Sequence, residues 1–334
     1  MTTNSETFAK LLSSEARRPD GDYDIVTDLK SCPPNISCRR HGGGRIIAPS
    51  EPSRSPELHL FPHAGIRLTD EFLELLQPAS LKPLAQLVVN NCDAGTPHAA
   101  NVLIQRLVEG HGSFYVGVFD ISRLFLDANR LVSSDQVPAS PYAGSPDLYR
   151  AYLALEGDRL REQLLLPWID AVNRLIVDAE IQLVFHHHSF DTVSRGRRDY
   201  DSRPHSLRPR GQLFAKKPTL GFLGGPPARF VPESLSTALA EVMGRALSGD
   251  DRLAEPIPID DPLLAPALPF LGCVASDSAD MAPWHVIYEM RKDLMRTEAA
   301  WERMFDVMHK VAINYSSEAG LFSPSHRDVI PRQT

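Results

Sequence analysis

From residue 57 onward, short apolar runs take turns with longer stretches in which apolar residues recur every three or four positions. Runs of leucine, β-branched and aromatic residues suit buried strands, whereas the three-to-four spacing suits helices with one buried face. The pattern predicts strands over 57–61, 85–89, 113–118, 123–127, 181–186 and 285–289. It predicts a helix that Thr96 caps, Pro97 begins and Gly110 stops, and a longer one over Tyr149–Val177 interrupted at Pro167. Two further helices are predicted over Ser234–Leu247 and Arg291–Ile313. Alternating elements of this kind give an α/β fold, here a single domain over 51–330 with a mostly parallel central sheet flanked by helices.

Two segments break the pattern. Residues 1–50 are polar, rich in Ser, Arg, Pro and Gly, and hold no sustained period, which predicts a flexible N-terminal arm. Residues 192–212, "TVSRGRRDYDSRPHSLRPRGQ", carry six arginines with neither helical nor strand period and predict a long loop.

Composition narrows the class. A chain of 334 residues, 43% of them hydrophobic, can bury one large α/β domain or two ordinary ones. A net charge of −7 leaves no excess of Lys and Arg to neutralise phosphates, so nucleic acid is not an expected partner. No run approaches the ~18 apolar residues that span a bilayer, and the first residues lack the apolar core of a signal peptide. The expectation is a soluble cytoplasmic protein without a membrane partner. Cys32, Cys38, Cys92 and Cys273 have the wrong spacing for a zinc knuckle or a redox pair and are expected as free thiols. Neither GxGxxG nor a P-loop occurs, which leaves nucleotide binding without support.

Candidate chemistry gathers where apolar runs end. In "IQLVFHHHSFD" the run from Ile181 meets His186, His187 and His188. Strand ends are where open α/β sheets bind ligands, and strand alternation puts His186 and His188 on one face and His187 on the other. "ELHLFPHAG" delivers His63, "QLVVNNCDAGT" delivers Asp93, and "HVIYEMRKDL" sets Glu289 in an apolar strand, where an unpaired carboxylate is expensive to bury. Singly, these are also read as a core or turn histidine, a helix cap and an ion-pair partner. Together, two histidines and a carboxylate with a position left for water suit a catalytic metal. In "DISRLFLDANR", Arg123, Asn129 and Arg130 suit a carboxylate or an amide carbonyl, and Asp127 suits a structural pair with arginine.

The motifs "FPHAG", "NCDAG", "SRLFLDANR", "HHHS" and "YEMRKDL", in that order over about 57–295, resemble those of the N-formylglutamate amidohydrolase family. "LLLPWIDAV" resembles that family's proline-aromatic helix. The resemblance implies a zinc-carboxypeptidase-like fold, His63, Asp93 and His188 as metal ligands, Glu289 beside the activated water, and Arg123 and Arg130 facing the substrate. Three departures detach the substrate from N-formylglutamate while leaving the metal chemistry in place. His186 stands where the family has an aspartate, Ile169 replaces a common histidine, and the glycine-rich stretch before the glutamate strand is missing.

The expected activity is therefore a metal-dependent amidohydrolase cleaving an N-acyl or other amide bond of a small, carboxylate-bearing molecule. Zinc is the expected divalent metal. Iron is the alternative, because the same donor types serve non-haem iron oxygenases, and a silent binding protein is the third reading. Glu289 is the expected general base and Arg123 or Arg130 the group that assists the oxyanion. Asn129, Arg197 and Arg198 are expected to hold substrate, unless the loop arginines pair with Asp191, Asp199 and Asp201. Asp191 or a backbone group is expected to fix the second nitrogen of His188.

Overall fold

The computed structural model describes residues 3–16, 32–50, 57–93, 95–126, 128, 157–181, 183–190, 211–215, 229–230, 254–258 and 284–291. Four parallel strands form the centre of a single sheet. They are β3 (Glu57–Phe61), β4 (Tyr115–Phe119), β5 (Leu183–Phe190) and β9 (Trp284–Arg291), in the order β4-β3-β5-β9. On one side β2 (Gly44–Pro49) runs antiparallel to β4, and β1 (Ile36–His41) antiparallel to β2. On the other, β6 (Gly211–Ala215) runs antiparallel to β9, with β8 (Ala254–Pro258) parallel to β6 and β7 (Arg229–Phe230) parallel to β9. The expected mostly parallel centre is present. Antiparallel pairs join it at both sides.

Burial explains why the central runs are so apolar. Leu58, Leu60 and Val184 pack in one cluster with Trp168, Val172 and Ile176 of helix α6 (Leu166–Asp178). The alternate residues Ile47, Phe61, Val116, Val118 and Phe185 are equally buried, and helix α4 (Thr96–Val108) runs against β2, β3, β4 and β5. A sheet covered on both faces needs apolar residues at nearly every position of its inner strands.

Several expectations are corrected. Residues 85–89 are not a strand but lie within helix α3 (Pro78–Asn91). Leu81, Leu84, Ala85, Val88 and Val89 fall on one side of that helix and are buried, so tertiary packing overrides both the β-branched valines and the internal Pro83. Of the expected strand over 123–127, residues 123–126 are not a strand either, and 127 lies outside the described residues. Phe125 and Leu126 donate their N–H groups to the Ser122 carbonyl at 2.9 and 3.0 Å, which closes a turn that buries Leu124, Phe125 and Leu126 together.

The flexible arm is also replaced where it is described. Residues 4–16 form helix α1, which buries Phe8 and Leu12 and packs on α3 and on the short helix α2 (Asp70–Glu74). The Asn4 amide donates to the Leu73 and Leu76 carbonyls, both at 2.9 Å, satisfying groups at the end of α2. Residues 36–49 are the β1–β2 hairpin, whose two-residue turn, Gly42 and Gly43, rests against the helical stretch before Pro167. That stretch comprises α5 (Gly157–Leu160) and a π-helical turn over Arg161–Leu165, and the Leu164 carbonyl accepts the Gly43 N–H at 2.8 Å. The expected interruption at Pro167 thus takes the form of a widened turn, which absorbs the missing proline donor.

Of the expected loop over 192–212, residues 211 and 212 instead open β6, and of the expected helix over Arg291–Ile313, Arg291 instead closes β9. The rest of both, the expected helix over Ser234–Leu247 and residues 149–156 of the expected long helix lie outside the described residues.

Candidate metal centre

Three segments far apart in sequence meet at the C-terminal ends of β3 and β5. β3 ends at Phe61, and Pro62 turns the chain so that His63 follows directly. Gly65 permits this turn to lie against the end of β4, since a Cβ there would sit 2.2 Å from the Asp120 carbonyl carbon. Asp93 occupies the junction between α3 and α4, not the end of a strand.

The backbone of that junction is tied to His63. The Asp93 N–H and the Cys92 thiol both donate to the His63 carbonyl, each at 3.3 Å. On the other side, the Thr96 hydroxyl donates to the Asp93 carbonyl at 2.6 Å and the Thr96 N–H does so at 3.0 Å. Gly95, with φ of 83°, is the residue before the helix, so Thr96 is the first helical residue and not the cap. Gly110, with φ of 76°, ends α4 as expected: its N–H reaches the Leu107 carbonyl while His111 N–H reaches that of Arg106.

His186, His187 and His188 lie inside β5, which runs on to Phe190, and all three are buried. Nδ1 of His188 approaches Oδ2 of Asp93 at 3.2 Å, and Nδ1 of His63 approaches the same oxygen at 3.1 Å. The two rings meet edge to face with centroids 5.0 Å apart. The other carboxylate oxygen, Oδ1, accepts a hydrogen bond from Nη1 of Arg123 at 2.9 Å. Asp93 therefore spends its side chain on the histidines and Arg123, and α4 has no side-chain cap.

Electrostatics sharpen this arrangement. Burial works against the charge on Asp93, yet the neighbouring His63 and Arg123, with hydrogen bonds from His188 and His63, hold its carboxyl well below the usual range. Burial lowers the pKa of His188, partly opposed by its hydrogen bond to Asp93, so the imidazole is a neutral donor at pH 7.

One buried carboxylate and two imidazoles, with ligand atoms all within 4.8 Å of one another, fit a divalent cation. Nε2 of His188 is buried without a hydrogen-bond partner among the described residues, a costly state for an imidazole that served packing alone. Its expected partner Asp191 lies outside those residues.

His187 has a different role. Its Nε2 is hydrogen-bonded to Nδ1 of His59 at 2.9 Å, and its ring stacks on Phe61 at 4.3 Å. Burial, reinforced by His59, His188 and His186, holds its pKa well below the usual value. It is a core histidine facing away from the Asp93 cluster, as the strand alternation predicts. Its partner His59 drew no attention in the sequence, although it shares with Glu57 and Phe61 one side of the alternating "ELHLF".

Glu289 occupies β9 at the register position paired with His188, on the same face of the sheet. Arg123 is beside the site, bonded to Asp93. Asn129, Arg130, Arg197 and Arg198 lie outside the described residues.

Among the described residues no helix is long and apolar enough to cross a membrane. No family model matches the chain, and no curated protein matches it. Solved structures do. A gene product from Agrobacterium tumefaciens is similar over 82% of this chain and 96% of its own, with 18% identity and a TM-score of 0.49. An N-formylglutamate amidohydrolase from Ralstonia eutropha JMP134 is similar over 83% of this chain and 98% of its own, with 12% identity and a TM-score of 0.48. At these identities likeness says nothing of substrate, and the chemistry rests on the site itself.

Proposed function

We propose that the chain is a metal-dependent amidohydrolase that cleaves an N-acyl or related amide bond of a small, carboxylate-bearing molecule. The observation carrying this reading is the convergence of His63, Asp93 and His188, all buried, at the ends of β3 and β5. Zinc held by such a set would supply water acidified to a pKa of about 7 and would polarise the carbonyl under attack. The charge on Asp93 and the neutrality of His188 keep both in donor form at the pH where that chemistry runs.

Amide hydrolysis also needs a group that takes a proton from water and gives it to the leaving nitrogen. Glu289, at the position beside His188, fills that role. Arg130 and Asn129 orient the substrate carboxylate or its amide oxygen, and Arg197 and Arg198, in the arginine-rich segment that follows β5 in the sequence, draw the anion in. N-formylglutamate itself is not assigned, given His186 and Ile169 where the resembling family has aspartate and histidine. The cytoplasm is the proposed compartment.

Purified protein loaded with zinc is to be incubated with N-formyl, N-acetyl and N-succinyl amino acids while free amine is followed. Hydrolysis of an anionic substrate that stops with chelator and returns with zinc supports the reading. Fully loaded protein that cleaves none of them overturns it. Iron in the site with oxygen uptake would replace hydrolysis by oxidation.

A further inference from the structure

The guanidinium of Arg123 and the two imidazoles divide the Asp93 carboxylate between them. Nη1 of Arg123 takes Oδ1 at 2.9 Å, while Nδ1 of His63 and Nδ1 of His188 both address Oδ2, at 3.1 and 3.2 Å. We propose that Arg123 is a positioning residue of the metal centre: it holds Asp93 so that only Oδ2 is presented to the cation, and it does not grip substrate. The inference rests on the metal-centre reading above and assigns Arg123 a task different from the substrate-facing one its motif suggests.

The segment that carries Arg123 is built to hold a fixed point. The Ser122 N–H donates to the Arg67 carbonyl at 2.8 Å, and a single β-bridge links Arg67 to Ile121. Immediately after Arg123, Leu124, Phe125 and Leu126 are all buried, and the Phe125 ring packs on Phe72 with centroids 4.8 Å apart. The turn is therefore plugged into the core on both sides of Arg123. A guanidinium launched from such a base loses only its own rotamer freedom, and none of the backbone's, when it engages a carboxylate.

Its partner is equally constrained. The Asp93 backbone is pinned by His63 and by both donors of Thr96, so the carboxylate has little choice beyond rotation about its own side chain. Arg123 removes that choice. With Oδ1 engaged, a cation between the imidazoles meets one oxygen, which favours a compact four-coordinate site over a wider one with a two-oxygen carboxylate. Arg123 is also 29% exposed along its side chain, so it meets solvent as well as Asp93. That placement is why a metal-directed task must be separated from a substrate-directed one by experiment.

The test compares wild type, Arg123→Gln and Arg123→Lys. Zinc affinity is measured by competition with a chromophoric chelator, the cobalt-substituted protein is examined by visible absorption, and thermal melting of the metal-free proteins reports folding. A positioning residue predicts that Arg123→Gln weakens zinc binding by roughly 10- to 100-fold, the range for lost partners of metal ligands. The cobalt spectrum should shift from an intense four-coordinate band to a weaker one of higher coordination. Arg123→Lys, which keeps the charge but not the fork, should recover part of the affinity. Unchanged affinity and an unchanged cobalt spectrum in both variants, with only KM for an anionic substrate raised, overturn the proposal and return Arg123 to the substrate. A wild-type protein that binds neither zinc nor cobalt overturns the metal-centre reading as well. If Arg123→Gln melts too low to measure, Arg123→Lys decides alone: affinity and spectrum identical to wild type again overturn the proposal.

Discussion

His188 and Glu289 are register partners across the parallel strands β5 and β9. The pairing puts a carboxylate-bearing position next to an imidazole of the His63–Asp93–His188 cluster, between the apolar Tyr288 and Met290. Glu289→Gln preserves shape and removes the exchangeable proton. It should keep metal and fold while lowering kcat by about 10²- to 10⁴-fold, the usual contribution of a general acid or base. Steady-state kinetics on an authentic amide substrate check this, and near-normal turnover would move Glu289 to a structural role.

Gly65 is a second sensitive point, through geometry. A methyl group there collides with the Asp120 backbone, which cannot yield without disturbing the end of β4. Gly65→Ala should cost about 1–3 kcal/mol of stability by overpacking. Because His63 lies two residues earlier in the same turn, the variant should also bind zinc more weakly. Denaturant unfolding together with zinc titration reads both effects, and wild-type values for both would show that the turn relaxes freely.

Stability should depend on pH through His187. Its native pKa is depressed, by burial first and then by His59, His188 and His186. Below the unfolded value of about 6.5 the unfolded chain takes up a proton that the native chain refuses, so stability falls as pH falls. The expected slope from this group is about 1.4 kcal/mol per pH unit, continuing down to its native pKa. His187→Phe keeps a ring to stack on Phe61 and removes the titrating group, and should flatten the curve between pH 6.5 and 5 in chelator-treated protein. An equally steep curve would mean that other groups govern acid sensitivity.

Most of the site was legible in the sequence because its residues interrupt patterns. His63 and the three histidines end or break apolar runs, and strand alternation alone separates His188 from His187. Asp93 was found for the wrong local reason. The apolar "LAQLVV" before it reads as a strand by its valines, whereas Leu81, Leu84, Ala85, Val88 and Val89 carry the helical spacing that the structure obeys. The turn at Arg123 was misread because three consecutive buried residues look like strand whether the chain is extended or curled. Residues 4–16 were missed since the two large apolar residues they bury, Phe8 and Leu12, stand among serines and charges, and only contact with α3 reveals what they cover. The bond from Arg123 to Asp93 leaves no mark in a linear pattern, because it depends on how a turn and a helix junction separated by thirty residues are placed.

Substrate charge supplies a further prediction. Replacing Arg197 and Arg198 together with glutamine should raise KM for an anionic substrate, more at low salt than at high salt, with zinc content unchanged. Kinetics at two ionic strengths settle the matter. If KM is the same at both for every active substrate, the clamp is to be sought in Arg130 and Asn129.

The most direct measurement is the zinc content of protein purified without added metal, in wild type, His63→Ala, His188→Ala and His187→Ala. About one zinc per wild-type chain is expected, with steep loss in His63→Ala and His188→Ala and retention in whatever fraction of the less stable His187→Ala remains folded. Equal zinc in wild type and His188→Ala, or none in wild type even after zinc is supplied, would contradict the metal-centre reading.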